Sequence, residues 1–390
     1  HETFANFPKG NYNSSEPIIS YWNTLFGGIL RCYILLNNID TVPNMTEENV
    51  RTYKGEAKFL IAYYHFLLLK NYGPIPIIDH QLSHDMDKKD FPERDDFDTC
   101  VNWIADLFDE AAGMLPVEQT STAYGRATSV AAKAMKSRLL LYAASPLFNG
   151  NSEYYADFKS KLDGRNLISQ TYDEKKWQRA ATAAREAIDA ATAAGYALYT
   201  DPSVSKSKFE MPSDDVQRVL RLNFIDYNNS KEVLWADTRK EMNYGLQYKS
   251  TPYRVGPSSG NGVGVTLSMV EQFYTENGLP IDMDPNYDYE GRYRTAEYHN
   301  DVCDGVTMNL NIGREPRFYA WVAFQNGYYE VMKRNSEDPE AKVVKTQFRK
   351  NDEFGIKART TNYSPTGYLN KKGCSPLYDN IQENVPAPHY

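Results

Sequence analysis

Arg51–Ile78, RTYKGEAKFLIAYYHFLLLKNYGPIPII, decides the fold. Apolar side chains recur at Val50, Tyr53, Ala57, Leu60, Ile61, Tyr64, Leu67 and Leu68, the i, i+3, i+4, i+7 spacing of one helix face. Glu47 and Glu48 fall in the first turn, with Asn44 or Thr46 as candidate caps. Gly73-Pro74 ends the helix, because glycine takes a left-handed terminal position and proline cannot continue the hydrogen-bond ladder. Another amphipathic helix precedes it, from about Ser20 to Asn38, with Trp22, Leu25, Phe26, Ile29, Leu30, Tyr33 and Leu36 on its apolar side. Two helices joined by the short turn Asp40-Thr41-Val42-Pro43 cannot bury both stripes alone, so neighbouring pairs must cover them.

Further helices follow outward from this pair. One runs from Phe97 to Leu115 with Val101, Ile104, Leu107, Phe108 and Ala111 inward. The next starts at Ser129, carries Val130, Ala134, Met135, Leu141 and Tyr142, and ends at Ser145-Pro146. An alanine-rich helix spans Trp177 to Ala194 and closes on Gly195. Residues 20–195 therefore read as a tetratricopeptide-like helical scaffold, although no strict 34-residue period is present. From Tyr196 the texture changes. In 196–390, short apolar runs (Val219 to Phe224, Glu232 to Ala236) alternate with polar loops. A helix is expected from Ser268, with a Ser268/Glu271 capping box, to Asn277-Gly278. Phe318 to Phe324 and Tyr328 to Met332 flank Asn326-Gly327, which predicts a β-hairpin. The second region reads as a loop-rich cap where binding is expected to sit.

A net charge of −8 argues against a phosphate-tracking surface. No apolar run is long enough to span a bilayer, and HETFANFPKG has no signal-peptide pattern. The four cysteines are widely spaced, and Cys32 reads as a buried thiol. Tyrosine is the compositional outlier: 30, against 17 Phe and 5 Trp. Tyrosine offers an apolar ring with a polar tip, which suits sugars as well as interhelical packing.

Local motifs give little chemistry. Gly256-Pro257-Ser258-Ser259-Gly260 matches G-x-S-x-G without the strand and helix a nucleophile elbow needs. His80 and His84 stand in a charged loop. Asp282, Asp284, Asn286, Asp288 and Glu290 alternate as in a calcium loop, but Tyr287 and Tyr293 occupy the positions that need Gly and Glu. No motif promotes a catalytic pair among the 51 acidic residues. No catalytic residue, metal site or cofactor is assigned.

Several stretches together resemble the SusD/RagB-like outer-membrane lipoproteins of Bacteroidetes. They are Trp22 to Tyr33, GEAKFLIAYYHFLLLKNYGPIPI (55–77), GRATSVAAKAMKSRLLLYAASPLFN (125–149), MVEQFYTENGLPID (269–282), REPRFYAWV (314–322) and TGYLNKKG (366–373). The resemblance implies a mainly α protein, a right-handed superhelical array under a loop-rich cap with short strands. It implies no catalysis. It further implies capture of an oligosaccharide, or in some members a peptide, for delivery to a TonB-dependent SusC-like barrel at the cell surface. The family's lipidated N-terminal cysteine and its helices after the GYLNKKG region are not in these 390 residues, so truncated ends are expected. Glu56, Phe59, Tyr72-Gly73 and Pro76 match the family as scaffold. Ligand contacts are expected from loop residues chosen by composition: Tyr12 and Asn13, then Tyr244, Tyr248, Tyr253 and Arg254, with Tyr289 as a further ring. A helical-repeat scaffold for a protein partner and a helical glycoside hydrolase are the alternatives.

Overall fold

The computed structural model describes residues 6–13, 15–200, 214–226, 229–238, 246–252, 260–330, 343–357 and 361–375. The chain is mainly helical and forms two compact units, 1–197 with 234–236, and 198–233 with 237–390.

The first unit contains α1 (Asn6–Lys9), α2 (Trp22–Asn38), α3 (Glu47–Tyr72), α4 (Phe97–Met114), α5 (Ser129–Ala144), α6 (Ser152–Tyr155) and α7 (Lys175–Ala193). Side-chain caps start three of the long helices: Thr46 accepts from Asn49 N, Asp96 from Thr99 N and Thr128 from Ala131 N. The long helices pack in sequence, α2 on α3, α3 on α4, α4 on α5 and α5 on α7. The α3 stripe is therefore wider than periodicity suggests. Helix α3 faces two neighbours and fully buries Phe59, Ala62, His65, Phe66 and Leu69 beside the predicted Ala57, Ile61 and Leu68. Each fully buried Leu, Ile or Phe contributes roughly 1.5–3 kcal/mol. On α5, Leu139 and Leu140 are buried while the predicted Leu141 is exposed. Gly55 lets α3 approach α4, since a Cβ there would stand 2.9 Å from Met114 Cβ. Gly73 ends α3 at φ 70, ψ −145, a conformation open to glycine. Trp235 fills a gap with its ring 4.9 Å from Phe59, and its Nε1 donates to Gly125 O at 2.9 Å.

Beyond the stop, buried polar bonds fix the chain. His65 Nδ1 donates to Ile61 O at 2.8 Å, and its Nε2 accepts from Ile78 N at 3.2 Å. Burial lowers this imidazole's pKa to about 4, so it is neutral. The Tyr72 hydroxyl accepts from Tyr21 N at 2.8 Å and Trp22 N at 3.1 Å, at the uncapped start of α2.

The second unit holds α8 (Asp215–Leu222), α9 (Leu246–Ser250), α10 (Leu267–Gln272) and α11 (Pro316–Trp321) with three two-stranded antiparallel sheets. Strands β1 (Thr295–His299) and β2 (Asp304–Met308) form a hairpin, Thr295 opposite Met308. Strand β3 (Val322–Ala323) pairs with β6 (Leu369–Asn370), and β4 (Tyr328–Glu330) with β5 (Val343–Lys345).

Three expectations fail here. The Asn326-Gly327 hairpin does not form, because residues 316–321 are helical with Pro316 at the start, and the flanking strands pair elsewhere. Asn326 has φ 59, but Gly327 is not left-handed, so this is not the primed turn a two-residue hairpin needs. The apolar run from Val219, to which no element was assigned from the sequence, begins within α8. The cap of α10 is Thr266, not Ser268. Finally, α10 stops at Gln272, where Arg314 takes carbonyls of its last turn and just past it: Nη2 donates to Val270 O (2.8 Å) and Phe273 O (2.6 Å), while Nη1 donates to Leu310 O (2.6 Å). A buried triad ties distant segments of this unit. Glu330 lies 3.0 Å from Lys371 Nζ and 3.3 Å from Arg221 Nε. Arg221 also donates to the carbonyls of Lys371 and Cys374.

Candidate functional site

In the second unit, a cluster of rings and polar groups, with Tyr293 exposed and Tyr289 half-buried, forms at Asp288–Tyr293. Asp288 Oδ1 accepts from Gly291 N at 2.8 Å, closing a turn in which a Cβ on Gly291 would lie 1.9 Å from Asp288 Oδ2 and push that carboxylate aside. The turn sets Arg292 between two tyrosines, its guanidinium carbon 3.8 Å from the Tyr289 ring centroid and 4.3 Å from that of Tyr293. All three guanidinium nitrogens donate within the cluster: Nε to Glu271 (3.1 Å), Nη1 to Tyr289 O (2.8 Å) and Nη2 to the Tyr293 hydroxyl (3.3 Å). That hydroxyl in turn donates to the Glu271 carboxylate. The bond from Tyr293, and the Arg292 charge, hold the Glu271 carboxyl below its ordinary range. The same bond pushes the Tyr293 phenol up. Tyr293 is 47% exposed, so an oriented ring and fixed polar atoms face solvent. Such a platform can pack against a CH-rich face while offering hydrogen bonds.

The first unit carries a different feature. A groove of about 700 Å³ runs along α2 beside the 76–92 segment, lined by Trp22, Phe26, Leu30, Ile34, Leu82 and Phe91 among others. Leu30 and Ile34 are each more than two-fifths exposed.

Residues 4–141 match the family described as "Starch-binding associating with outer membrane", and residues 231–386 match the SusD family. The chain belongs to the SusD/RagB family. It superposes on the solved structure of BT4246 with a TM-score of 0.79 and 29% identity, over 100% of this chain and 69% of that one. A SusD-like protein, BF3747, from Bacteroides fragilis NCTC 9343 gives 0.67 at 19% identity, over 96% of this chain and 61% of that one. A SusD-like carbohydrate binding protein, BF0978, from the same organism gives 0.59 at 18% identity, over 97% and 58%. The SusD-family chain thus spans 58% to 69% of the length of these structures. No curated protein matches it. Among its described residues, no helix is long and apolar enough to cross a membrane.

Of the residues chosen from the sequence of this SusD-family chain, Tyr289 lies in the platform. Tyr12 is exposed, with its ring edge-on to Phe7 at 5.5 Å. Asn13 spends its carbonyl on Ser15 N and Glu16 N, both at 2.9 Å, so it is a turn residue. Tyr248 sits half-buried on α9, its carbonyl accepting from Gly260 N at 2.8 Å. Tyr244, Tyr253 and Arg254 lie outside the described residues, as does most of the Gly256–Gly260 motif. Tyr12 and Asn13 belong to one unit, Tyr248 and Tyr289 to the other. Sequence reading missed Arg292, Tyr293 and Glu271. The local signal was the run Tyr289-Glu290-Gly291-Arg292-Tyr293, in which turn chemistry brackets an arginine with rings. Of the calcium-like series, Asp284 accepts from Thr275 Oγ1 (2.5 Å), Asn277 Nδ2 (3.0 Å) and Asn286 N (2.9 Å). These bonds, Thr275 first, hold its carboxyl below the ordinary range. His80 is exposed and bonded to Asp79. Among the described residues, no cluster of metal-ligating side chains is present.

Proposed function

We propose that this protein captures an oligosaccharide at the cell surface, without cleaving it, and hands it to a SusC-like TonB-dependent barrel in the outer membrane. An N-terminal lipid anchor would hold it there. Family membership supports the class of ligand, as do the words "Starch-binding associating with outer membrane" and the carbohydrate-binding name of BF0978. The observation that carries the reading on this chain is the exposed Tyr293 ring, fixed by Arg292 and Glu271 beside Tyr289.

Affinity gel electrophoresis against a glycan panel tests it, comparing wild type with Tyr289→Ala/Tyr293→Ala. The expected result is retardation by at least one glycan class, weakened at least about tenfold in the double variant, with no release of reducing ends. Equal retardation of both proteins would move the site off this platform. A second reading, a protein or peptide partner, is favoured by the apolar groove along α2. It gains if no glycan retards the protein.

A further inference from the structure

We infer that the platform selects uncharged saccharides and that Glu271 is the residue that determines this. The inference rests on the glycan reading above and specifies its ligand. An arginine flanked by two rings would ordinarily mark a site for uronate or sulfate groups, because its planar fork matches such anions. Here that charge is already met. The Glu271 carboxylate lies 3.1 Å from Arg292 Nε, and both side chains are largely covered. The other two guanidinium nitrogens donate to Tyr289 O and the Tyr293 hydroxyl, so three of the five N–H groups are spent within the cluster and the fork is not free to meet an anion with all its donors. Asp288 and Glu290, both exposed, add negative charge on the same turn, and the exposed Arg294 follows it in the chain. An acidic sugar laid on Tyr293 therefore meets a compensated cation and neighbouring carboxylates. A neutral sugar meets the same ring with no charge to desolvate.

Glu271→Gln keeps an acceptor for the Tyr293 hydroxyl and removes the charge. The test is isothermal calorimetry with neutral gluco-, xylo- and manno-oligosaccharides and with oligogalacturonates of equal length, on wild type and Glu271→Gln. Wild type is expected to prefer a neutral saccharide, and Glu271→Gln to shift the acidic-to-neutral affinity ratio toward the acid by about tenfold. A measurement that needs no variant accompanies it: raising salt should strengthen any residual oligogalacturonate binding by wild type and leave neutral binding unchanged. Preference for the acid by wild type, or an unchanged ratio in Glu271→Gln, overturns the inference while leaving glycan capture intact. Failure to bind any member of either class overturns the glycan reading and this one with it.

Discussion

His65 shows how one side chain can carry a pH dependence. Its ring is buried, with one nitrogen donating to Ile61 O and the other accepting from Ile78 N. The pKa is lowered from 6.5 to about 4, with burial as the cause. Between those values the unfolded chain binds a proton that the folded ring refuses, so stability is full above pH 6.5 and falls as pH drops toward 4. The loss reaches roughly 3 kcal/mol for this one group. Urea midpoints of wild type and His65→Gln across pH 7 to 4 check it. The glutamine should keep an acceptor for Ile78 N and flatten the decline, and parallel curves would refute the assignment. Nothing in the sequence distinguished His65 from its tyrosine neighbours, because its burial arises only where α3 meets the chain that follows it.

At the scale of elements, helices were readable where local chemistry sets both ends. Thr46 and Gly73 bound α3, Asp96 starts α4 and Thr128 starts α5. Helix α2 lacks a side-chain cap of its own. Its first turn is completed from 50 residues away, by the Tyr72 hydroxyl. Tyr72→Phe leaves the amides of Tyr21 and Trp22 without that acceptor and should cost about 1–2 kcal/mol. Faster hydrogen exchange at the start of α2 and a lower urea midpoint would confirm it, and wild-type values would refute it. The pairing of the short strands was unreadable for the converse reason. Strand β3 pairs with β6, 46 residues on, and two-residue strands leave no periodicity to detect. The short α10 was misread too; Arg314, over 40 residues downstream, takes carbonyls at its end.

At the scale of the whole molecule, each unit has its own core and its own kind of glue. The helical unit relies on stacked apolar faces, while the second unit is pinned by buried charge. Glu330 holds both Arg221 and Lys371, and its carboxyl stays below the ordinary range although burial opposes this, because those two cations face it. Burial lowers Lys371. Glu330→Gln would leave two buried cations uncompensated and should destabilise the second unit by about 3–5 kcal/mol. Hydrogen exchange separates the units: protection should fall around β4, α8 and residue 371 while the α2–α7 amides keep theirs. Unchanged protection in the second unit would refute the triad's role. The candidate platform divides in the same way. Tyr289 was legible as a loop ring, but the Tyr293–Glu271 bond joins residues 22 apart that only the fold brings together.

The sequence by itself determined the long helices of the first unit, the glycine stop of α3, and the family, because those signals repeat within one or two turns or along ordered motifs. Only the tertiary structure decided which α3 side chains are enclosed on two faces, where β3, β4 and α10 find their partners, and that Arg292 is already neutralised by Glu271. These depend on contacts between residues far apart in the chain, and local spacing carries no record of such contacts.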